Sequence, residues 1–531
     1  MLKRHVCIGL LCALALSIAA VAGAQQVPQP VVRMGNAIEL ADDLWVDFIG
    51  QGDIRFQFVH NTDFEGDIRD RTSSRDNTAT VVHGGTADIW WMEARFGFNM
   101  QYQKHLKMQL LMENQMTWDG NRIDNGFALG GDDTNFPDGR NVNCGEFGND
   151  CLQRNTWNLE RLWIDYTLEN TPLRFRIGAD LWTTDPAGVI GDDDPRAAIF
   201  AKFGDLELSA AVVMQTTSLR AGLQNDNDNI YYNFGATYDL KPWRFAVDAT
   251  YFRFRFDQGQ DVDTVSIRPS VVGNLGMISF LAQPMFVFGS VEATAPGGTD
   301  YDVAALGFIG QVELKLGRFR PLIAVVYGSG DDDSTDGDLD AFSPLPQGEI
   351  TLTTGRPQFS MFDIASSWGA RDVFPPAAVN MGSGFEFMHT VGNPWNDRVG
   401  QTLHAGVTTT YGNPGVLLIA PGVNIALVKG HELDVFYIYR RVMETAPIEQ
   451  ELLNREGVAV SVDETMTHEL AAVYSWTPNP WFDLRVLGTA VIPSDGVKDI
   501  ASAQVCDNAT GARCEGEDIA LTGEIRLRAR F

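Results

Sequence analysis

Apolar and polar residues alternate with a period of two along most of this chain. In the closing segment, "EIRLRARF" at 524–531, isoleucine, leucine, alanine and phenylalanine share one face of an extended strand. A glutamate and three arginines share the other face. Successive side chains of a strand point to opposite faces. The pattern therefore predicts strands that are apolar on one face and polar on the other.

Two-faced segments recur in pairs that are joined by tight connections. Residues 94–103 and 108–118 form one pair, and "KP" at 241–242 leads into another long segment, 243–256. The connections between pairs are long and acidic, as in "GSGDDDSTDGDLD". Alternating short and long connections are typical of membrane β-barrels, and a soluble sandwich has no reason to sort its loops by length. Segment 243–256 also exceeds the usual strand of about six residues in soluble sheets.

Tryptophans lie beside several of these connections, where membrane barrels place their aromatic girdles: Trp118, Trp182, Trp243 and Trp481. We therefore predict an all-β fold, a transmembrane antiparallel β-barrel. Its strands run from about 44–60 to 519–531, and we count eighteen, with sixteen as the next choice. Segment 401–411 interrupts the alternation and is assigned to a loop. A backbone can cross lipid as a sheet only if the sheet closes on itself.

The first 24 residues have the features of a signal peptide: Lys3 and Arg4, an apolar run, and a small-residue site at 22–24. We expect residues 25–531 to form a single barrel domain in the outer membrane of a Gram-negative bacterium. Only about twenty residues separate the cleavage site from the first strand, too few for the plug that fills large transporters. This excludes a TonB-dependent receptor.

The formal charge of −29 excludes nucleic acid as a partner, because phosphates need a basic surface. Residues 25–531 contain no apolar run long enough for a helical membrane span. Their histidines are scattered, and none belongs to a recognisable nucleophile–histidine motif. No haem, P-loop or dinucleotide motif is present either. We therefore expect neither enzymatic activity nor a cofactor.

Four cysteines follow the signal segment, in two short pairs. Cys144 and Cys151 bracket "GEFGND", and Cys506 and Cys514 bracket "DNATGAR". In an oxidising compartment such pairs predict two local disulfides. A metal site is the alternative, although no histidine lies near them in sequence. Aspartate clusters at 192–194 and 331–333 could bind calcium, or could be solvated loop acids.

Alternation assigns a group of arginines to the lumen. The direct assignments are Arg174, Arg176, Arg253, Arg255, Arg526, Arg528 and Arg530; Arg95, Arg161, Arg55, Arg268, Arg440 and Arg485 follow with less certain faces. Strict alternation would put Arg253 on the face of Trp243 and Phe245. That segment therefore needs a bulge, or its far end stands clear of the membrane.

Arginine-rich walls favour anions. The alternative is a neutralised wall, in which each guanidinium pairs with a lumen acid. The candidate acids are Glu93, Glu113, Asp165, Asp248, Glu313 and Glu524. The cross-strand register decides between the two interpretations, and the sequence does not contain it.

At "VVYGSGDDDSTDGDLDAFSPL" (325–345) the chain resembles the alginate-export family of outer-membrane barrels. The resemblance extends over the chain through its strand number, its arginine-bearing strands and its terminal Phe531. It implies an eighteen-stranded channel whose basic lumen passes a polyuronate. The two cysteine pairs depart from that family.

These patterns predict a passive channel for polar, mainly anionic solutes. The segment 329–398 is expected to fold into or over the mouth. Phe531 resembles the signal that the outer-membrane assembly machinery reads. The alternatives are a sheath around a periplasmic electron-transfer partner, which needs a wide polar lumen, and a structural or adhesive barrel filled with side chains.

Overall fold

A computed structural model describes the backbone at 38–60, 87–119, 158–179, 182–183, 191–192, 195–215, 229–256, 260–293, 300–332, 337–340, 415–503, 505–507, 512–513, 515 and 517–530. Some of the earlier predictions fall outside these residues. They are the signal segment 1–24, Cys144, Cys151, Cys514, Phe531 and most of 329–398.

Eighteen long strands form one closed antiparallel ring, as predicted. Each pairs with the strands before and after it in the chain, and the first pairs with the last, with Asp53 opposite Arg528. The strands are β1 Leu44–His60, β2 Ala87–Tyr102, β3 Leu106–Asp119, β4 Asn158–Thr167, β5 Leu173–Ala179, β6 Pro195–Phe203, β7 Leu206–Gln215, β8 Asn229–Leu240, β9 Trp243–Phe256, β10 Gln260–Asn274, β11 Ile278–Ala293, β12 Tyr301–Leu314, β13 Phe319–Gly328, β14 Val416–Val428, β15 His431–Arg441, β16 Thr465–Asn479, β17 Phe482–Pro493 and β18 Ala520–Arg530.

Tight turns join the strands at one end of the ring, called the turn end here. They occupy 103–105, 168–172, 204–205, 241–242, 275–277, 315–318, 429–430 and 480–481. The connections at the opposite loop end are mostly longer, although 257–259 is short. The sorting of connections by length, expected from the sequence, is confirmed.

The described residues include several short strands besides the eighteen of the ring. Ile38–Ala41 extends the edge of β1, and Asp338–Leu339 pairs in parallel with β12. Two small hairpins pair Trp182–Thr183 with Gly191–Asp192 and Val505–Asp507 with Ala512–Arg513.

Two helices cover the loop end of β15–β17: α1 Ala446–Glu456 and α2 Asp495–Ala503. Val442, Ile448 and Leu452 pack against Val497 and Ile500 in an apolar cluster. Carboxylates fix the connecting loop, because Glu449 accepts from the Val462 N–H and Asp499 from the Asp463 N–H, both at 2.9 Å. No helix in the described ranges is long and apolar enough to cross a membrane.

The two faces of the strands differ in exposure. Ile177 is 62% exposed and Leu470 53%, both on the outward face, whereas inward Asp53 is fully buried. In β18, Ile525 and Leu527 are exposed, and Arg526, Arg528 and Arg530, which alternate with the apolar residues, are partly covered. The two-faced closing strand predicted from "EIRLRARF" is therefore confirmed over its described residues.

The outward apolar face has a measurable height. On β9 it begins at Trp243, which stacks near Phe245, and ends at Tyr251, whose hydroxyl donates to Asp263 at 2.6 Å. The interval is 251 − 243 = 8 residues. At about 3.3 Å per residue and a tilt of about 40°, this spans roughly 20 Å. The height approaches the apolar band of about 25 Å that membrane barrels present to lipid.

Candidate functional site: the charged lumen wall

Register and exposure place most of the predicted arginines on the inward face. Inward parity follows from the ladders that connect each strand to the buried Asp53 of β1. The inward set is Arg95, Arg161, Arg174, Arg176, Arg268, Arg440, Arg485, Arg526, Arg528 and Arg530. Arg55 has the same backbone parity. These arginines are spread along the sequence, and the pairing of the strands that carry them places them on the inward wall.

On β4 and β5, one carboxylate serves two guanidiniums. Asp165 is opposite Arg176, whose Nε donates to Oδ2 at 2.9 Å, and Arg174 Nε lies 3.8 Å from the same oxygen. Arg176 also stacks over Trp163, 4.2 Å from the ring centroid. The formal charge of this triad is 2 − 1 = +1. Asp165 holds the two guanidiniums in place, and the three side chains together keep a net positive charge.

The seam between β18 and β1 repeats this arrangement. Asp53 accepts from Arg526 Nε at 2.8 Å and lies 3.2 Å from Arg528 Nε. Arg530 pairs with Asp483 of β17 at 3.0 Å. The Asp53 triad also carries a formal charge of 2 − 1 = +1. Asp53 was not among the acids singled out in the sequence, because its partners are hundreds of residues away.

Two other predicted arginines are enclosed. Arg268 is fully buried and pairs with Asp248, while its Nη1 donates to Ser266 at 2.8 Å. Arg440 pairs with Glu469, and both are buried. These pairs match the neutralised-wall interpretation. The wall therefore combines neutral pairs on β9–β10 and β15–β16 with positive triads on β4–β5 and β18–β1.

The assignment of Arg253 and Arg255 to the lumen is wrong. The ladder between β9 and β10 runs without a register shift, so there is no bulge. Arg253 is exposed on the outward face, opposite Asp263 and beyond Tyr251. Arg255 has the same backbone parity, opposite Asp261. The far end of β9 thus stands above the apolar band, which is the second of the two options that the alternation allowed.

Buried carboxylates also lie on the other side of the ring. β5 and β14 lie nine strands apart in a ring of eighteen, so their inward faces look towards each other. Near β14, Glu313 of β12 and Asp434 of the adjacent β15 are buried inward carboxylates. Arg320 donates to Asn424 at 2.8 Å, and Asn424 donates to Asp434. Asn424 therefore connects Arg320 to Asp434 on this side of the wall.

A second feature was missed from the sequence: an apolar inward surface. Buried residues of β7–β17 form one cluster, which includes Met285, Ile309, Leu418 and Phe436. They alternate with outward apolar residues, so strands such as β14, "VLLIAPGVNIALV", are apolar on both faces. The continuous apolar run was the available signal. In these strands the inward face carries apolar side chains as well as the polar ones that the alternation predicted.

Within the described ranges, no group of three or more histidine, cysteine, aspartate or glutamate residues could hold a metal ion. The calcium prediction at 192–194 and 331–333 falls partly outside those ranges. Calcium binding and the disulfides stay predictions.

No protein-family model matches the chain, and no curated protein is similar to it in sequence. Both results leave the resemblance to the alginate-export family without support. Solved structures are similar in overall fold. A BenF-like porin from Pseudomonas fluorescens Pf-5 is 10% identical, with a TM-score of 0.46 over 93% of this chain and 99% of that one.

Two further structures are similar. OccAB2 from Acinetobacter baumannii is 11% identical, with a TM-score of 0.48 over 92% of this chain and 98% of that one. OccK2 (OpdF) from Pseudomonas aeruginosa, in complex with glucuronate, is 10% identical, with a TM-score of 0.45 over 91% of this chain and 98% of that one. At such identities, function has to be argued from the chain's own residues.

Proposed function

We propose that this chain is a passive outer-membrane channel for small polar solutes and that it favours anions. The observation that carries the proposal is the pair of positive triads on the inward wall, centred on Asp165 and Asp53. Positive groups along a channel wall raise the local concentration of anions and lower that of cations.

The membrane setting is supported by the outward surface. Large apolar side chains are exposed around the ring, from Phe175 on β5 through Val312 on β12 to Leu470 on β16. A soluble protein rarely exposes a contiguous apolar surface of this size. A closed ring has no unpaired strand edge, which is the condition for a sheet to cross hydrocarbon. Export by the segment 1–24 and recognition of Phe531 by the assembly machinery stay predictions.

Carboxylates are the solute class that the triads fit best. A guanidinium binds a carboxylate through parallel N–H donors, and each triad presents more donors than its own aspartate can accept. A uronate, or a chain of uronates as in alginate, offers such groups along one side. We propose uronates as the solutes to test first, and passage of a polyuronate as the narrower version of this function.

The two alternative functions make different demands on the lumen. A sheath around an electron-transfer partner needs a wide polar interior, and the buried apolar cluster of β7–β17 does not favour it. A structural or adhesive barrel would be filled with side chains and would not conduct. Conductance in a lipid bilayer therefore separates this last alternative from a channel.

The test is the reversal potential of purified protein in planar bilayers under a KCl gradient. We expect anion preference in the wild type and a shift towards cations in the double variant Arg174→Ser, Arg176→Ser. Arg253→Ser is the matched control, because it removes the same kind of charge from the outward face. Absence of conductance refutes the channel. An equal shift in the control refutes the role of the triads. In a separate measurement, glucuronate and its oligomers are tested as blockers of the wild-type channel.

A further inference from the structure

Four consecutive turns, here called the basic rim, differ from the rest of the turn end. They are 241–242, 275–277, 315–318 and 429–430, which connect the strands from β8 to β15. Apolar residues in or beside them are strongly exposed: Met277 60%, Leu316 48%, Phe319 54% and Val428 64%. The outward apolar face of these strands therefore continues down to the turns themselves.

Each apolar turn segment is accompanied by a cation, either within it or from its neighbour. Lys241, Lys429 and Arg318 are exposed in their turns. Lys315 Nζ donates to Asn274 Oδ1 at 3.1 Å, so this side chain leans towards turn 275–277. None of the four turns contains an acid.

The turns on the other side of the ring have a different composition. Turn 168–172 contains Glu169, and turn 204–205 contains Asp205. Turn 103–105 consists of Gln103, Lys104 and His105, and His105 pairs with Glu169 at 3.1 Å. These turns also have exposed apolar residues in or beside them, Tyr102 at 44%, Leu168 at 37% and Phe203 at 54%, but an acid lies in or against each turn. The turns between β8 and β15 combine exposed apolar residues with cations and contain no acid.

A position at the headgroup level of a bilayer explains this combination. Lysine and arginine bury their aliphatic stems in apolar surroundings and keep the charged group at the interface. Aromatic residues occupy the same level, and Trp243 lies just above turn 241–242 with its ring 5.3 Å from that of Phe280. Apolar turn residues that would be unfavourable in water would then contact acyl chains.

We propose that the basic rim binds anionic phospholipid headgroups in the leaflet next to the turn end. Phosphate oxygens would accept from Lys241, Lys315, Arg318 and Lys429, while the apolar turn residues contact the acyl chains. The inference rests on the proposed membrane setting, and it is independent of what the lumen conducts. An anionic surface attracts each nearby lysine or arginine by roughly 1 kcal/mol, about fivefold in affinity.

The test is retention of added phosphatidylglycerol, compared with phosphatidylcholine, in native mass spectra of detergent-purified full-length protein. The rim variant is Lys241→Gln, Lys315→Gln, Lys429→Gln. The matched control is Lys104→Gln, Lys107→Gln, Lys202→Gln, which removes three exposed cations near turns 103–105 and 204–205. Insertion of each protein into phosphatidylcholine vesicles, followed as a folded band in unheated gel electrophoresis, is measured separately.

We expect the wild type and the control to retain phosphatidylglycerol over phosphatidylcholine, and the rim variant to lose at least about fivefold of that preference. Equal retention in all three proteins overturns the inference, and is the result expected if the rim docks a protein instead. Loss of the same size in the control also overturns it. Failure of the wild type to insert into vesicles would overturn the membrane setting itself, which is a different result from insertion without lipid preference.

Discussion

Replacing Asp165 by asparagine should make the channel more selective for anions. Asp165 is buried, and its carboxylate accepts from Arg176 and forms an ion pair with Arg174. Asparagine keeps a side-chain oxygen that can accept from Arg176, so this guanidinium keeps an acceptor in the same place. The formal charge of the triad rises from +1 to +2. The perturbation is therefore one unit charge on the wall with little change in shape.

The size of the effect follows from Coulomb's law. A monovalent ion passing about 6 Å away in a water-like lumen gains or loses roughly 0.7 kcal/mol. In 0.1 M salt, with a Debye length of about 10 Å, this falls to roughly 0.4 kcal/mol. Anions gain this energy and cations lose it, so their permeability ratio should change by about fourfold. In 1 M salt, where the Debye length is about 3 Å, the change should nearly disappear.

The assay is the reversal potential in planar bilayers, measured under KCl gradients of low and of high mean concentration. Asp263→Asn is the matched control, since Asp263 lies on the outward face opposite Arg253. A shift towards anions that is confined to the lumen variant and lost at high salt supports the reasoning. No shift at low salt, or the same shift in Asp263→Asn, would falsify it, because the wall charge would then not act on passing ions.

Gly178→Ala should destabilise the barrel by about 2 kcal/mol or more, because Gly178 has φ 127° and an added Cβ would lie 2.0 Å from the Leu162 carbonyl oxygen. Urea unfolding followed by gel mobility measures this, with Gly52→Ala, which meets nothing within 4 Å, as the control. Burial raises the pKa of Glu444, and Asp332 and Glu464 raise it further while Arg441 opposes them. A raised pKa means that the folded loop binds the proton more tightly than the unfolded chain, so stability is lost as pH rises through that pKa. Glu444→Gln should therefore slow hydrogen exchange in α1 at neutral pH, and the difference from wild type should vanish in acid; a difference that grows in acid would contradict this.

The fold was predictable because its main constraint is local. Each crossing strand needs one face for lipid and another for the lumen. Apolar and polar residues therefore alternate with a period of two in strands such as β18. Turn residues such as Lys241-Pro242 then mark where one strand ends and the next begins. Neither signal depends on which strands become neighbours. The strand number, the closed ring and the location of the tight turns at one end of it could therefore be predicted from the individual segments.

The chemistry of the lumen was less predictable because it depends on heights along neighbouring strands. Parity alone allowed two positions for Arg253, and only the unshifted ladder with β10 places it outside. The inward apolar cluster was missed for a related reason. A strand such as β14 that is apolar on both faces does not show from its own sequence which face looks inward, and the prediction of a polar lumen was applied to every strand.

The seam between β18 and β1 shows why wall charges and barrel closure are connected. Asp53 and Arg526 are 473 residues apart in sequence, and they meet only when the last strand pairs with the first. Before closure, β1 and β18 each have an unpaired edge, and Asp53 has neither arginine beside it. After closure, Asp53 accepts from Arg526 and Arg528 in a wall where it is fully buried. Removing one member of a buried ion pair costs about 3–5 kcal/mol, because the remaining charge is left without compensation. The triad that raises the positive charge of the lumen therefore also favours the correct pairing of the terminal strands, so a substitution at Asp53 should change selectivity and closure together, whereas one at Asp165 acts inside an already closed hairpin.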